Sequence, residues 1–292
     1  MQLRYLFSFL LMLCFFFSFS QDDLLDLINE DVNENSSVVF ATFKGTKIIN
    51  LQSIELTHKN ELQFMISHRF GEIKGGAYDL YGLDYGEIRL SLDYGLLDWL
   101  NIGLARSSNG KIIDGSVKYK IFHQGKVIVN SIISPVSIVG YSSIFLDPVD
   151  PSSDRKLSFH TSRLSYVHQL LIARKLSRNL SLQFSPTIFH YNAVKDSSDS
   201  HDIIALGFGG RYKFTSSTSM NFEWIPTYNN LSKYTNSLSL GVDIETGGHV
   251  FQLMLTNSLG MNEKAFIAEN RGTWDNNNIH LGFNITRRFS FK

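Results

Sequence analysis

Two adjacent serines precede an Asn-Gly pair in the stretch Arg106-Ser107-Ser108-Asn109-Gly110. A serine becomes a catalytic nucleophile when a neighbouring base, most often a histidine, takes its proton. Arg106 stands two residues before Ser108, where that histidine would be needed, and a guanidinium group stays protonated. Asn-Gly also favours a polar turn that has no catalytic role. We therefore expect that the protein is not an enzyme.

The histidines and the single cysteine offer no metal site either. The nine histidines show no close ligand spacing, and His160 and His168 are too far apart to bind one ion from a single strand. Cys14 is the only cysteine, which excludes a disulfide framework or a thiolate site. The 27 basic and 27 acidic residues cancel, which removes the electrostatic reason for a nucleic acid partner. We predict no metal, no cofactor and no nucleic acid binding.

Charged residues recur at alternate positions within otherwise apolar stretches. On a strand they would share one face, opposite the apolar residues. They would either form ion pairs that fill and stiffen a narrow barrel or line a path for a polar solute. The filling role is favoured, because long side chains that meet across a narrow barrel leave little open space. The residues predicted to point into the lumen are Arg89, Asp93, Lys118, Lys120, Arg163, Arg211, Glu223, Asp243 and Glu245.

Twelve alternating segments supply the strands that would position these side chains. Each is near the ten residues that a tilted strand needs to cross a bilayer. Only a closed barrel satisfies the backbone groups of such strands in lipid. We predict one all-β domain over residues 61–292, a single antiparallel transmembrane β-barrel of about twelve strands. The segments are 61–70, 85–94, 99–106, 115–122, 127–145, 158–174, 180–191, 202–214, 220–224, 238–245, 249–258 and 278–289.

The connections between the segments alternate in length. The short ones are 95–98, 123–126, 175–179, 215–217 and 246–248, and the longer, more polar ones include 71–84, 146–157, 192–201 and 259–277. Short turns on one side and long loops on the other are typical of an outer-membrane barrel and disfavour a soluble sandwich. An even number of strands also returns both termini to the periplasm.

Two residues fit the predicted alternation poorly, because His168 and Arg287 fall on apolar faces. Arg287 lies near the end of its strand, where its long side chain can reach the interface. His168 is predicted to mark a β-bulge that shifts the register.

The N-terminus is typical of a secretory signal peptide over residues 1–20. Arg4 precedes the apolar run 5–17 and a small-residue site that ends at Ser20, after which we expect cleavage. A lipoprotein acylation site at Cys14 is disfavoured, because Leu13 stands where a small residue is needed.

Residues 21–60 are predicted to form a short N-terminal extension. They would lie in the periplasm or plug the lumen, or they would add a hairpin at 44–47 and so give fourteen strands. Lys47, Asn50 and Gln52 interrupt any lipid-facing stripe, which favours the extension or plug.

Several stretches carry a family resemblance: 43–50 (FKGTKIIN), 66–71 (ISHRFG), 103–108 (GLARSS), 168–175 (HQLLIARK) and 243–266 (DIETGGHVFQLMLTNSLGMNEKAF). In these the chain resembles a domain-of-unknown-function family of outer-membrane β-barrel proteins. The resemblance covers nearly all of the chain after the signal peptide and implies a barrel, but no activity, substrate or catalytic residue. The chain departs from the usual barrel terminus in that Lys292 follows the final aromatic residue, Phe291.

A barrel with a charged interior is expected to act in transport at the bacterial outer membrane. The predicted function is a narrow pore or gated transporter for small polar solutes. The alternative is a closed structural or partner-binding barrel that acts through its extracellular loops, especially 259–277. In either case the predicted partners are outer-membrane lipid and the barrel-assembly machinery, with a small polar solute in the first case.

Overall fold

Strands form where the sequence alternates between apolar and polar residues. The computed structural model describes residues 39, 41–127, 132–148, 161–194, 199–229, 233–246 and 249–291, so the predicted signal peptide lies outside the described residues. The strands are β1 (Glu61–Glu72), β2 (Gly86–Leu97), β3 (Leu100–Ser107), β4 (Ile113–Phe122), β5 (Gly125–Val127), β6 (Ile132–Ser134), β7 (Ser137–Leu146), β8 (Leu164–Lys175), β9 (Leu180–Tyr191), β10 (Asp202–Lys213), β11 (Thr218–Ile225), β12 (Thr227–Tyr228), β13 (Ser237–Thr246), β14 (His249–Thr256) and β15 (His280–Ser290).

Twelve of these strands close into one antiparallel barrel. Each pairs with two neighbours, and the last long strand, β15, pairs with β1 from Glu61↔Ser290 onward. The two-residue β12 pairs with β10 after Pro226 interrupts the ladder, because proline has no backbone N–H to donate. Residues 41–57 add no strand to the wall. The prediction of a twelve-stranded barrel is confirmed, and the fourteen-stranded alternative is wrong.

The two faces of the wall differ as the alternation predicts. On β2, Arg89 and Ser91 are buried inside, whereas Leu90 and Leu92 are exposed on the outer surface. The inner face is mostly polar on β1 to β4 and on β11 to β15. On β7 to β10 it also carries large apolar residues, among them Val139, Phe145, Val167, Leu171 and Phe189. The interior is therefore polar on one side and partly apolar on the other.

The connections alternate in length with one exception. Between β4 and β7, the short strands β5 and β6 pair with each other and not with the barrel. The wall therefore resumes at Ser137, ten residues after the start of the predicted segment 127–145. Pro135 stands between β6 and β7, and it cannot donate to a ladder. The other connections at this end are short, and the longer loops lie at the opposite end of the barrel. We call these ends the short-turn end and the long-loop end.

The predicted bulge at His168 is wrong. The pairing of β7 with β8 runs without a shift from Ser137↔Ala173 to Leu146↔Leu164. His168 points outward, and its Nδ1 lies 2.9 Å from the Oγ of Ser142 on the neighbouring strand. A local hydrogen bond thus gives this polar ring a partner on the apolar face without changing the register.

The only helices among the described residues are short. They are three 3₁₀ helices, Ile73–Gly82, Asn109–Lys111 and Thr161–Arg163, and the π-helix Lys264–Ala268. None of the helices in these described ranges is long and apolar enough to cross a membrane.

Two segments fill the barrel. The first, residues 41–57, is called the N-terminal hairpin here, because Lys47 pairs with Gln52 and the Ser53 N–H donates to the Thr46 carbonyl at 2.9 Å. The second, residues 257–268, is called the inner loop and comes from the long-loop end. From Gly260 to Ala268 every residue of the inner loop is buried. The fold therefore closes the barrel with chain from both ends.

Candidate functional site: a plugged lumen below an outer vestibule

The tip of the N-terminal hairpin is held by one carboxylate of the wall. The Asn50 N–H lies 3.0 Å from both Oε1 and Oε2 of Glu223, and the Leu51 N–H donates to Oε2 at 3.0 Å. Glu223 is fully buried on the inner face of β11. Hydrogen bonds to an ionised group are stronger than those between neutral groups, so this contact is a principal anchor of the hairpin.

Lys118 anchors the hairpin from another side of the barrel. Its Nζ on β4 donates to the carbonyls of Thr46 at 2.9 Å, Ser53 at 3.1 Å and Glu55 at 3.3 Å. In the order of the closed sheet, β4 is separated from β11 by four strands on one side and six on the other. The hairpin is therefore fastened across the lumen rather than along one wall.

Amide and guanidinium groups of the wall donate to five further hairpin carbonyls. Such bonds keep the buried backbone paired without making the hairpin part of the sheet. The donors are Gln183 to Gln52 at 2.7 Å, Arg211 to Ala41 and Thr42 at 3.3 Å, Gln252 to Ile48 at 2.9 Å and Asn284 to Ile49 at 3.1 Å.

Apolar packing completes the fit of the hairpin. Ile48, Ile49 and Leu51 are almost completely buried. Gly207 and Gly209 on the inner face of β10 leave room for them, since a Cβ at Gly209 would lie 2.5 Å from the Ile48 Cδ1. The hairpin thus occupies a space that the wall is shaped to admit.

The structure places the predicted lumen residues in different roles. Lys118, Arg211 and Glu223 bind the hairpin backbone, and Glu245 pairs with Lys44 of the hairpin. Arg89 instead pairs with Asp114 on β4, with 2.8 Å between Nη2 and Oδ2.

The other four predicted residues are Asp93, Lys120, Arg163 and Asp243. Asp243 accepts a hydrogen bond from Gln252 at 2.9 Å. Asp93 and Lys120 lie on the inward-facing positions of β2 and β4. Arg163 lies in the short helix before β8 rather than on a strand, and its Nε donates to the Asp147 carbonyl at 2.7 Å.

Sequence reasoning missed the inner loop, which it treated as part of an external loop. Gln52 Nε2 of the hairpin donates to Glu263 Oε1 at 2.9 Å, and Lys47 Nζ donates to the Met261 carbonyl at 3.3 Å. Asn262 donates to the Ser107 Oγ of the wall at 3.1 Å. The apolar pair at 266 and 267 within a polar loop is the signal that could have revealed its burial.

Electrostatics couple the hairpin to the inner loop. Burial lowers the pKa of the Lys47 ammonium group from its ordinary value, and the negative charge of Glu263 acts in the opposite direction. Glu263 therefore offsets part of the cost of burying this charge while the inner loop stays beside Lys47. Each segment helps to hold the other in the lumen.

Two cavities lie at the long-loop end, above the filled part of the lumen. Their volumes are about 730 and 790 Å³, and both are lined by Tyr234 and Glu269. We call them together the vestibule. A small polar solute fits within either volume, since ligand sites commonly measure about 300–1,000 Å³.

The serine pair has structural partners. Ser108 Oγ accepts from the Ile88 N–H at 2.8 Å and donates to Glu87, while Ser107 bonds Asn262. Among the residues that the structure describes, no group of three or more histidine, cysteine, aspartate or glutamate residues is placed to hold a metal ion.

Comparison with known protein families identifies one that covers most of the chain. The family described as "Membrane bound beta barrel domain (DUF5777)" matches residues 43–289. No curated protein matches the sequence.

The chain is also similar, at low sequence identity, to several solved porins and channels. The NanC porin is 11% identical, with 79% of this chain and 99% of that chain covered and a TM-score of 0.49. An outer membrane channel of Pseudomonas putida F1 is 14% identical, with 80% and 97% covered and a TM-score of 0.47. The KdgM porin is 10% identical, with 80% and 99% covered and a TM-score of 0.45.

The family match includes most of the N-terminal hairpin and all but the last residue of the closing strand β15, so the hairpin and the barrel fall within one family domain. The chain belongs to the membrane bound beta barrel domain family (DUF5777), whose function is unknown.

Proposed function

We propose that the protein is a gated channel for small polar solutes in the bacterial outer membrane, and that the N-terminal hairpin is its gate. The observation that carries the proposal is the way the hairpin fills the lumen. Side chains of the wall make most of its contacts. The segment that follows the hairpin pairs with the barrel backbone at an isolated bridge between Lys59 and Gly95. The hairpin can therefore leave without breaking the ladders that close the barrel.

The direction of withdrawal follows from the ends of the hairpin. Asn60 bonds to Gly95 near the β2–β3 turn, and Lys44 bonds to the Ser216 carbonyl in the β10–β11 turn at 2.7 Å. Both contacts lie at the short-turn end, which faces the periplasm in barrels of this kind. The vestibule then faces the cell exterior, and the gate opens toward the periplasm.

The wall that withdrawal would uncover suits a polar solute. The inner faces of β1 to β4 and β11 to β15 carry mainly polar and charged side chains. Such a lining replaces water around a polar solute by hydrogen-bonding groups.

The test uses a reversible link between gate and wall. Asn50 Nδ2 lies 3.1 Å from Ser239 Oγ, so cysteines at these two positions can be joined by oxidation or by a short thiol crosslinker. We expect N50C/S239C to conduct in planar bilayers when reduced and to fall silent when linked. The single variants N50C and S239C serve as controls that must not respond to the oxidant. Equal conductance in the linked and reduced states would contradict a gating hairpin.

A second candidate is a closed structural or partner-binding barrel. The buried Arg89–Asp114 pair and the apolar packing of the hairpin favour it, because both stabilise a filled interior. On this hypothesis neither the reduced nor the linked protein conducts, and a partner that co-purifies with the protein is lost when the exposed residues 275–277 are replaced by glycines.

A further inference from the structure

The larger vestibule cavity contains an unusual lysine. The side chain of Lys264, which lies on the inner loop, is only 6% exposed, yet it lines this cavity of about 790 Å³. Its Nζ lies 2.5 and 2.6 Å from the two carboxylate oxygens of Asp147 and 3.7 Å from Glu269 Oε1. A buried ammonium group is thus presented to a solvent-filled space.

The partner of this lysine is much less constrained. Asp147 comes from a different loop, the β7–β8 connection, and its side chain is 41% exposed. Because this carboxylate is partly solvated, its ion pair gains less from Asp147 than a fully buried pair would, and a solute can reach the same position. A carboxylate from solution can therefore take its place at Lys264 with a small change in free energy.

The rest of the cavity favours an anion. With Asp147 and Glu269 already beside Lys264, the other charged residues that line the cavity are Arg106, Lys111, Lys233 and Asp199. Counted together with Lys264, Asp147 and Glu269, four positive and three negative charges line the cavity, and this net positive charge raises the local concentration of anions.

The cavity is also linked to the gate. Glu263, next to Lys264 in sequence, accepts the hydrogen bond from Gln52 of the hairpin, and the inner loop carries both residues. A shift of Lys264 toward the cavity moves the neighbouring residue that holds the hairpin. Occupancy of the vestibule and the position of the gate are thus joined through two adjacent residues.

We propose that this cavity is a binding site for small carboxylate-bearing solutes, in which the carboxylate of the solute replaces Asp147 at Lys264 and loosens the hairpin through Glu263 and Gln52. The binding step stands on the cavity alone. The loosening step rests on the proposed gating function.

Binding is tested by calorimetry on the purified protein in detergent micelles, with succinate as the probe and its uncharged diamide, succinamide, as the matched control. We expect succinate to bind and succinamide not to bind. D147N should tighten succinate binding about tenfold or more, since an internal competitor is removed, and K264M should weaken it by a similar factor. K264R, which keeps the charge, should retain binding, and the heat-modifiable migration of each variant reports whether the barrel is folded. Equal affinities for wild type, D147N and a folded K264M would overturn the site.

Coupling is tested with a reporter cysteine on the hairpin. Ile54 is buried, so the thiol of I54C reacts with a polar maleimide only when the hairpin moves. Succinate should speed this labelling, and a second substitution, Q52L, should abolish the acceleration although succinate still binds. Binding of succinate without faster labelling would overturn the coupling. Whether the hairpin gates the channel is decided separately, by the conductance of N50C/S239C in its reduced and linked states.

Discussion

The Asn50 N–H at the tip of the N-terminal hairpin lies 3.0 Å from each carboxylate oxygen of Glu223, a wall residue 173 positions later in the chain. The adjacent Leu51 N–H shares the same carboxylate. One buried charge therefore fixes the turn that closes the lumen, without any ladder between the hairpin and the sheet.

Replacing this charge should loosen the gate. E223Q keeps the shape of the side chain but removes the charge that two N–H groups share, and hydrogen bonds to charged groups contribute about 1.5–3 kcal/mol. We expect maleimide labelling of I54C to be about tenfold faster in E223Q, because a loss of about 1.4 kcal/mol changes an equilibrium tenfold. Glu72 accepts from Asn278 at the rim, away from the hairpin, so E72Q is the matched control and should label at the wild-type rate.

The Arg89–Asp114 pair should behave as a buried ion pair. The two side chains are 5% and 2% exposed, so R89M leaves an unpaired carboxylate and should destabilise the barrel by about 3–5 kcal/mol. The double variant R89M/D114L removes both charges and should recover most of this loss. Urea unfolding in lipid vesicles measures both values. Equal destabilisation in the single and double variants would show that the unpaired carboxylate is not the source of the loss.

Glycine at position 209 should be required by the hairpin rather than by the strand. A Cβ there would lie 2.5 Å from Ile48 Cδ1, so the branched side chain of G209L should push the hairpin from its site and speed labelling of I54C. I48A removes the clashing atoms, and G209L/I48A should label more slowly than G209L. If the second substitution gives no recovery, the glycine is needed for another reason.

The outward pair formed by His168 and Ser142 should depend on both partners. H168L alone leaves the Ser142 hydroxyl without its bond on the apolar face, and we expect a loss of about 1 kcal/mol or more. H168L/S142A replaces both polar groups by apolar ones and should be at least as stable as wild type. Urea unfolding in lipid vesicles measures this effect. A double variant that is less stable than H168L would contradict the interpretation.

The barrel could be predicted from the sequence because its determinants are local. Arg89, Leu90, Ser91 and Leu92 differ in polarity at each step, and a strand turns each step into an opposite face. The local pattern misled at two places. Pro135 ends the pattern between β6 and β7, and the hydrogen bond between His168 and Ser142 supplies a partner that lies on another strand.

The candidate site could be predicted only in part. Eight of the nine predicted residues lie on strands at inward-facing positions, as alternation requires, while Arg163 lies just before β8. Alternation reveals which way Lys118 or Glu223 points, but not what it meets. Asp114, Glu263 and Lys264 were missed, because Asp114 lies just beyond a predicted segment and the other two lie in a connection that has no periodic pattern.

The sequence by itself determined the number of strands, the side of each strand that meets lipid, and the end of the barrel that carries the long loops. Those features follow from a repeat of two residues and from lipid, which accepts no unpaired backbone or charged side chain. The tertiary structure alone decided how the lumen is filled. Gln52 meets Glu263 across 211 positions of sequence, and Lys264 faces a cavity because the inner loop folds back into the barrel. Contacts between segments so far apart depend on the closed wall that brings them together, and no local pattern encodes them.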